Sequence, residues 1–386
     1  MTEFDMSLVQ RGARLRHSPY YDATQRYEPK GFTVYNHMLF PIRFDTFKAE
    51  FDALLNDVTV WDVAVERCLE ISGPDGPRFA QLLTPRDLST CAVGQAKYVL
   101  ICDADGGIVN DPVMTRMDEN TFWFALASSD ALLFARGLRH AYPDLDVTIR
   151  ELDVAPMQIQ GPKSKALMHD LVGAPADELK YYWWTRAEVN GIPVVVTRTG
   201  WTSEVGYEIY LLDRSKGTQL WQAVMEAGEP YGVKPTGPSD IRRIDGAIFN
   251  WGADMNYDNN PLEMGLERLI AWELPDSAAI SLATLRRIRD AGVSRRIVGV
   301  ELDGDPFPAL NFVKWDACRD SGSEPVGQVT SAIYSPRLKA NIGFCWVPAD
   351  LAVPGSTLRV ASEWGDRTAT VVPMPFVDPE KRIPVS

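Results

Sequence analysis

Short apolar runs bounded by Gly, Pro, Asp and Ser alternate along the chain with segments of helical spacing, without a regular strand–helix–strand period. In CLEISGPDGPRFAQLLTPRD the pattern predicts strand, turn and helix. Cys68, Leu69 and Ile71 are extended, Gly73-Pro74-Asp75-Gly76 turns, and Phe79, Leu82 and Leu83 form an apolar stripe. MQIQGPKSKALMHDLVG repeats that form, with Met157 and Ile159 in a strand and Gly161-Pro162 as the turn. Ala166, Leu167 and Leu171 then lie on a helix stopped by Gly173. The likeness of the two stretches suggests two related α+β units in the first two thirds. PSDIRRIDGAIFNWG predicts a helix capped by Ser239, with Ile241, Ile244 and Ile248 on one face. Beyond about residue 290 the character changes to five short strands separated by turn residues: RRIVGVELDG, EPVGQVTSAIYSP, ANIGFCWVP, STLRVAS and RTATVVPMP. These predict a small all-β barrel or sandwich, with a boundary near 275–290.

Composition narrows the class. A chain of 386 residues is long for one core, so two or three domains are expected. A net charge of −13 argues against broad binding to nucleic acid or anionic membranes, which needs a basic surface. No twenty-residue apolar span is present, and the opening MTEFDMSLVQRGARLRH lacks the apolar core of a secretory signal. Five scattered cysteines without a CxxC fit reduced thiols, so a cytoplasmic location is expected. The four histidines show no ligand spacing, so no metal is expected, and neither GxGxxG nor a Walker A pattern occurs.

Three constellations carry candidate chemistry. In AKYVLICDADGGIVNDPVMTRM, Val99–Ile101 and Ile108–Met114 predict a hairpin about Asp103–Gly107, with Asp111 inside the return strand beside Pro112. Asp111 reads either as a solvated edge carboxylate or as one aimed into a cleft. In RTGWTSEVGYEIY, Glu204 and Glu208 fall on one face of a predicted strand, with Gly206 between them. They form either a solvated acidic pair or an acceptor for the parallel N–H donors of a flat heterocycle, with Trp201 or Tyr207 as a wall. The aromatic run Tyr181-Tyr182-Trp183-Trp184 cannot all face one core, so part of it is expected to line a pocket for a planar or cationic methyl-bearing ligand.

Taken together, the motifs resemble the folate-binding family of the glycine cleavage aminomethyltransferase, or T-protein. GGIVNDPV, RTGWTSEVGYEI, IQGP, SDIRRIDGA, NPLEMGL, GQVTSAIYSPRL and the final MPFV follow that family's patterns in order over most of the chain. The resemblance implies an α+β, three-domain, ring-like fold around a central folate channel, with a folate-binding region over 1–280, of two interleaved α+β domains, and a β-barrel over 290–386. RLRHSPYY, KGFTVYNHMLFP, VWDVAVER and LLTPRD resemble the tetrahydrofolate-dependent demethylase branch, which includes dimethylsulfoniopropionate demethylase and aromatic O-demethylases. Departures accompany the likeness. Ser239 stands where the aminomethyltransferase has arginine, Asn110 replaces the first Asp of the hairpin, Pro112 replaces Leu, and DPEKR replaces the terminal tyrosines. Lys381 or Arg382 becomes a candidate for the carboxylates of the folate tail.

The resemblance implies methyl transfer from a small methylated donor, a sulfonium or a methoxyaromatic, to N5 of tetrahydrofolate. Asp111 is then the catalytic carboxylate, and Glu208 grips the pterin. Tyr98, Trp201 and Glu204 complete the cofactor side, while Tyr35, His37, Trp183 and Trp184 are candidates for the donor side. His37 or a tyrosine would supply the acid that a phenoxide leaving group needs. The partner is a small molecule, with no nucleic acid, membrane or lipoyl carrier protein expected. The alternatives are an aminomethyltransferase, which needs a lipoylated carrier, and a non-catalytic folate-binding protein, whose Lys-Gly-Cys-Tyr-x-Gly-Gln motif is absent.

Overall fold

The computed structural model describes residues 12–319, 322 and 324–386. The first eleven residues, which include much of the segment read for a secretory core, lie outside them.

Period-two alternation builds a six-stranded sheet ordered Trp184–Val189, Ile192–Thr197, Gly206–Leu211, Ala155–Gln160, Thr59–Asp62 and Lys234–Pro235. Met157, Ile159, Tyr207, Ile209 and Leu211 face a core closed by helices Ser164–Val172 and Gly217–Gly228. Their neighbours Gln158, Gln160, Glu208 and Tyr210 therefore face the other way, into the interior of the molecule, and all four are buried. A five-stranded sheet, Thr148–Leu152, Cys68–Ser72, Phe122–Ala125, Val113–Arg116 and Ala96–Tyr98, packs on helices Gly76–Leu83 and Ala131–Ala141.

The two expected strand–turn–helix units both form, and they share a device. Gly73 and Gly161 turn each strand into its helix at φ +118° and +124°. A Cβ at either would stand 2.6 Å from the Asp146 carbonyl or 2.5 Å from that of Asp57. Only glycine fits such a left-handed, crowded corner.

The C-terminal strands close into a barrel of six, in the order Arg295–Leu302, Ala340–Pro348, Pro325–Ser335, Trp315–Cys318, Thr357–Ser362 and Gly365–Val372. The sixth strand, Trp315–Cys318, escapes the sequence pattern because it is four residues long and follows the exposed Phe312 and Val313. The helix expected to carry Ile248 is shorter, Asp240–Asp245. Ser239 caps it by accepting from the Arg242 N–H at 3.3 Å, but Ala247 takes φ +51° and ends the helical face before Ile248.

Chain crossings and a β-bridge join the two sheets around the interior. The chain leaves the six-stranded sheet at Asp62 and enters the five-stranded sheet at Cys68, so residues 63–67 bridge them. A lone bridge pairs Gln95 with Trp183. Among the described residues no helix is long and apolar enough to cross a membrane, and all five cysteines are buried.

Candidate functional site

Glu208 sits on the third strand of the six-stranded sheet, 4% exposed. Its Oε1 accepts from Gln158 Nε2 at 2.8 Å. Its Oε2 accepts from Thr199 Oγ1 at 2.5 Å, with Thr197 Oγ1 and Tyr210 Oη at 3.4 Å. Burial raises its pKa, and the hydroxyl and amide donors oppose that. Gln158 spends its amide nitrogen on Glu208 and leaves its own Oε1 buried without a donor. An orphaned buried acceptor beside a buried carboxylate is a site for a ligand's N–H groups.

Gln160, two residues on, locks the loop that precedes the strand. Its amide donates to the Thr199 and Tyr207 carbonyls at 3.2 Å and accepts from Thr202 Oγ1 at 2.7 Å. The amide lies directly over Gly200 and Gly206, where any Cβ would come within 2.3 and 2.4 Å of it. Those glycines in RTGWTSEVG let the side chain and the loop approach each other.

The strand expected over Ile108–Met114 is in fact two, and Asp111 is not inside either. Ile108–Asn110 pairs with Ile101–Cys102, whereas Val113–Arg116 joins the five-stranded sheet. Pro112 supplies no ladder donor, so Asp111-Pro112 is the step where the chain changes sheets. Asn110 pins that step. It donates to the Ala127 carbonyl at 3.0 Å and Ser129 Oγ at 2.7 Å, and accepts from the Ala127 N–H at 3.1 Å, a pairing that an aspartate could not complete. Asp111 Oδ2 accepts from the Tyr98 hydroxyl at 3.1 Å. Burial pushes Asp111 up to about 7, against the pull of that hydrogen bond.

A third carboxyl, Glu66, comes from the crossing turn and was not singled out in the sequence. It is half-buried, and burial together with Glu208 and Asp111 holds it well above the usual carboxylate range. VAVERC carries no motif for it; only the crossing between sheets brings it inward. Tyr181 and Tyr182, with rings 4.8 Å apart and nearly perpendicular, also stand in the field of Glu208, and Tyr182 holds φ +61° to do so.

The structure sorts the remaining candidates. Tyr35 is half-buried, and its hydroxyl is raised by burial, by Glu66 and by Asp111. His37 is exposed at the left-handed corner of the hairpin Gly31–Tyr35/Met38–Arg43 and is not brought to the carboxyls; the inward residue of that corner is Asn36. Trp184 donates its indole N–H to the Arg116 carbonyl at 2.9 Å and packs with Met117, Val195 and Tyr210. Trp183 leans on the core of the six-stranded sheet. In the aromatic run, the hydroxyls of the two tyrosines lie in the field of Glu208, while the tryptophans pack as just described. Trp201 packs on Leu54, Trp61 and Val63, with the Arg243 guanidinium 5.8 Å from its ring centre.

Glu204 and Glu208 do not share a strand face, because the strand begins at Gly206 and Glu204 belongs to the loop. The Glu204 carboxylate is taken by Arg242 Nε at 2.6 Å and by Arg337 at 3.5 Å, so it ties the loop to the 240–245 helix and the barrel. Lys381 Nζ donates to the Gly246 carbonyl at 2.6 Å and Ser203 Oγ at 3.2 Å, and burial lowers its pKa to about 8. Arg382 pairs with Glu380 at the surface. Among the described residues no group of three or more His, Cys, Asp or Glu is placed to hold a metal ion.

Comparison with known proteins adds to this geometry. Residues 4–274 match the model of the GCVT N-terminal domain, and residues 295–378 match that of the glycine cleavage T-protein C-terminal barrel domain. The chain is 35% identical over 358 residues to the dimethylsulfoniopropionate demethylase DmdA of Ruegeria pomeroyi, covering 93% of this chain and 96% of that one. It is 28% identical over 340 residues to the aminomethyltransferase of Halothermothrix orenii, covering 87% and 93%. The crystal structure of the glycine cleavage system aminomethyltransferase T from Bartonella henselae superposes with a TM-score of 0.84 at 20% identity, covering 94% of this chain and 98% of that one. That likeness supports the fold.

Proposed function

This chain belongs to the glycine cleavage T-protein family and is a tetrahydrofolate-dependent transferase, and from that premise we propose that it demethylates a small sulfonium donor. Dimethylsulfoniopropionate is the first candidate, since 35% identity over nearly the whole chain relates it to a demethylase of that compound. The observation that carries the reading is the pairing of Asp111, poised near neutral pH, with a second acceptor cluster at Glu208 and Gln158.

The residues suit a pterin. Gln158 Oε1 lacks a donor and Glu208 Oε1 has one, so adjacent ring N–H groups would complete both. Tetrahydrofolate, when bound, supplies the N5 lone pair that accepts the methyl group as the C–S bond breaks and its electron pair leaves on a neutral thioether. Asp111 would take the proton that N5 must lose. Tyr98 holds one of its oxygens, and its pKa of about 7 suits proton uptake at neutral pH. Tyr98, Tyr181 and Tyr182 bring aromatic surface to the carboxyls and would restrict water around a bound pterin, which strengthens charge interactions there. A sulfonium leaves without an acid. That suits a site in which His37, the acid expected for a phenoxide, stands outside on an exposed turn.

The test is to incubate the protein with tetrahydrofolate and a panel of sulfonium, quaternary ammonium and methoxyaromatic donors, and to measure 5-methyltetrahydrofolate. Product from dimethylsulfoniopropionate and none from methoxyaromatics is expected. Product from none of the sulfonium donors refutes the proposal.

A further inference from the structure

Glu66 does nothing for the fold through its carboxyl. Two buried acids give the contrast: Glu50 accepts from the N–H groups of Phe44 and Asp45 at 2.6 and 2.8 Å, and Asp254 pairs with Arg243 at 2.7 Å. Among the described residues, no hydrogen bond or ion pair reaches the Glu66 side chain, although the backbone of its turn is fixed at Glu66 and at both neighbours. Its N–H donates to the Val63 carbonyl at 2.9 Å. Asn36 Nδ2 holds the Val65 carbonyl at 3.0 Å, and the Leu126 N–H holds that of Arg67 at 2.9 Å. The turn therefore presents an unpaired acid from a rigid mount.

The charges that act on that acid are Glu208 and Asp111, both of its own sign. Like-charged groups gathered without a basic partner are unfavourable unless protons or a ligand neutralise them. A divalent metal does not suit them, since the three carboxyls are not placed to chelate one. A pterin is neutral, and its donors are met by Glu208 and Gln158. What remains is positive charge arriving with the second substrate, next to Tyr35, which lies in the fields of both Glu66 and Asp111.

We infer that Glu66 is a specificity-determining residue, the counter-charge that selects a permanently cationic methyl donor over a neutral molecule of the same shape. The inference rests on the demethylase reading and adds a consequence to it. Methyl transfer moves the positive charge from sulfur to N5, from which it departs as a proton, so the thioether left beside Glu66 is neutral. The residue that attracts the substrate has no hold on the product. Burial and its acidic neighbours favour the protonated form of Glu66 in the empty site, and a cation that cannot share a proton favours the ionised form.

The binding test uses the full chain loaded with folic acid, whose oxidised ring cannot accept the methyl group, so that binding is read without turnover. Calorimetry measures binding of dimethylsulfoniopropionate and of 4-methylpentanoate, in which carbon replaces the charged sulfur. The wild type is expected to prefer the sulfonium by about 10-fold or more, and Glu66→Gln to reduce that preference to about 1 by weakening the sulfonium alone. In turnover, Glu66→Gln should raise KM about 10-fold and leave kcat and the tetrahydrofolate Kd within about threefold. Glu66→Asp, which keeps the charge, should recover part of the preference. The melting temperature of Glu66→Gln should not fall, because no hydrogen bond or ion pair to the carboxyl is lost. A wild type without preference, or a Glu66→Gln that keeps it, overturns the inference. So does a loss confined to kcat on methoxyaromatic donors, which would make Glu66 an acid instead. Because the preference is read by binding, absence of methyl transfer would strike the demethylase reading separately.

Discussion

Gln158 and Glu208 face each other across adjacent antiparallel strands, amide nitrogen to carboxylate oxygen at 2.8 Å, and the amide oxygen of Gln158 is left buried with no donor. Glu208 is thus held in place by a neighbour that is itself incomplete. Glu208→Ala should weaken tetrahydrofolate binding by about 100-fold or more, as loss of charge-assisted hydrogen bonds does. Gln158→Leu should weaken it about 10-fold, with the fold retained. Titration of protein fluorescence with tetrahydrofolate checks both, and unaltered affinity in Glu208→Ala would remove the pterin grip.

Asp111 and Tyr98 make a coupled prediction about rate. If Asp111 takes the N5 proton, kcat/KM should rise with pH through about 7 and then level off. Asp111→Asn should lose about 10²–10³-fold in kcat and flatten that profile, with folate affinity nearly unchanged. The Tyr98 hydroxyl lowers the Asp111 pKa, so Tyr98→Phe should move the rise to higher pH. A profile that ignores both substitutions would place the titrating group elsewhere.

The same carboxyl shapes stability in the opposite direction. Its folded pKa, about 7, lies above its ordinary value of 3.8. Between those values the unfolded chain is ionised while the folded one keeps its proton, so stability is greatest below the lower value and declines up to about pH 7. The ligand-free Asp111→Asn protein should lose that part of the decline, at most about 4 kcal/mol. Urea titrations at pH 5 and pH 8 read the difference.

Gly206 is a packing constraint rather than a hinge. A methyl group there would overlap the Gln160 amide at 2.4 Å, so Gly206→Ala should cost about 1–3 kcal/mol by forcing that side chain out of its hydrogen bonds. The urea midpoint should drop, and folate affinity should fall with it as the loop loosens.

Glu204 provides the contrast. Breaking its buried pair with Arg242 by Glu204→Ala should destabilise the protein by about 3–5 kcal/mol, since a fully buried guanidinium loses its partner. Thermal unfolding reads this directly. Loss of folate binding at full stability would restore Glu204 to the ligand side.

How much of this was legible depends on distance along the chain. Glu208 and Asp111 stand in contiguous motifs, and strand alternation already turned Glu208 away from Tyr207 and Ile209. The barrel followed from five of its six strands; the sixth is too short to show a period. Glu66 and Gln158 were not legible, and Tyr182 was legible only as one of four aromatics expected in part to line a pocket. Glu66 is inward only because the strands on either side of it enter different sheets, and Gln158 is notable only through a donor that is missing. His37 misled because its neighbour Asn36 takes the buried side of the corner, donating to the Val65 and Leu126 carbonyls, which leaves the imidazole in solvent. Glu204 misled because a register argument assumed the strand began before Gly206.

Arg337 reaches out of the barrel hairpin to Glu204, while Ser331 and Thr330 of the barrel bond to Arg243 and Asp254. The loop that carries Thr199 to Glu208 is therefore clamped from a part of the chain more than a hundred residues downstream. The barrel acts as a keystone: translation of the first two thirds alone yields every side chain proposed for catalysis, but not the wedge that holds their loop shut.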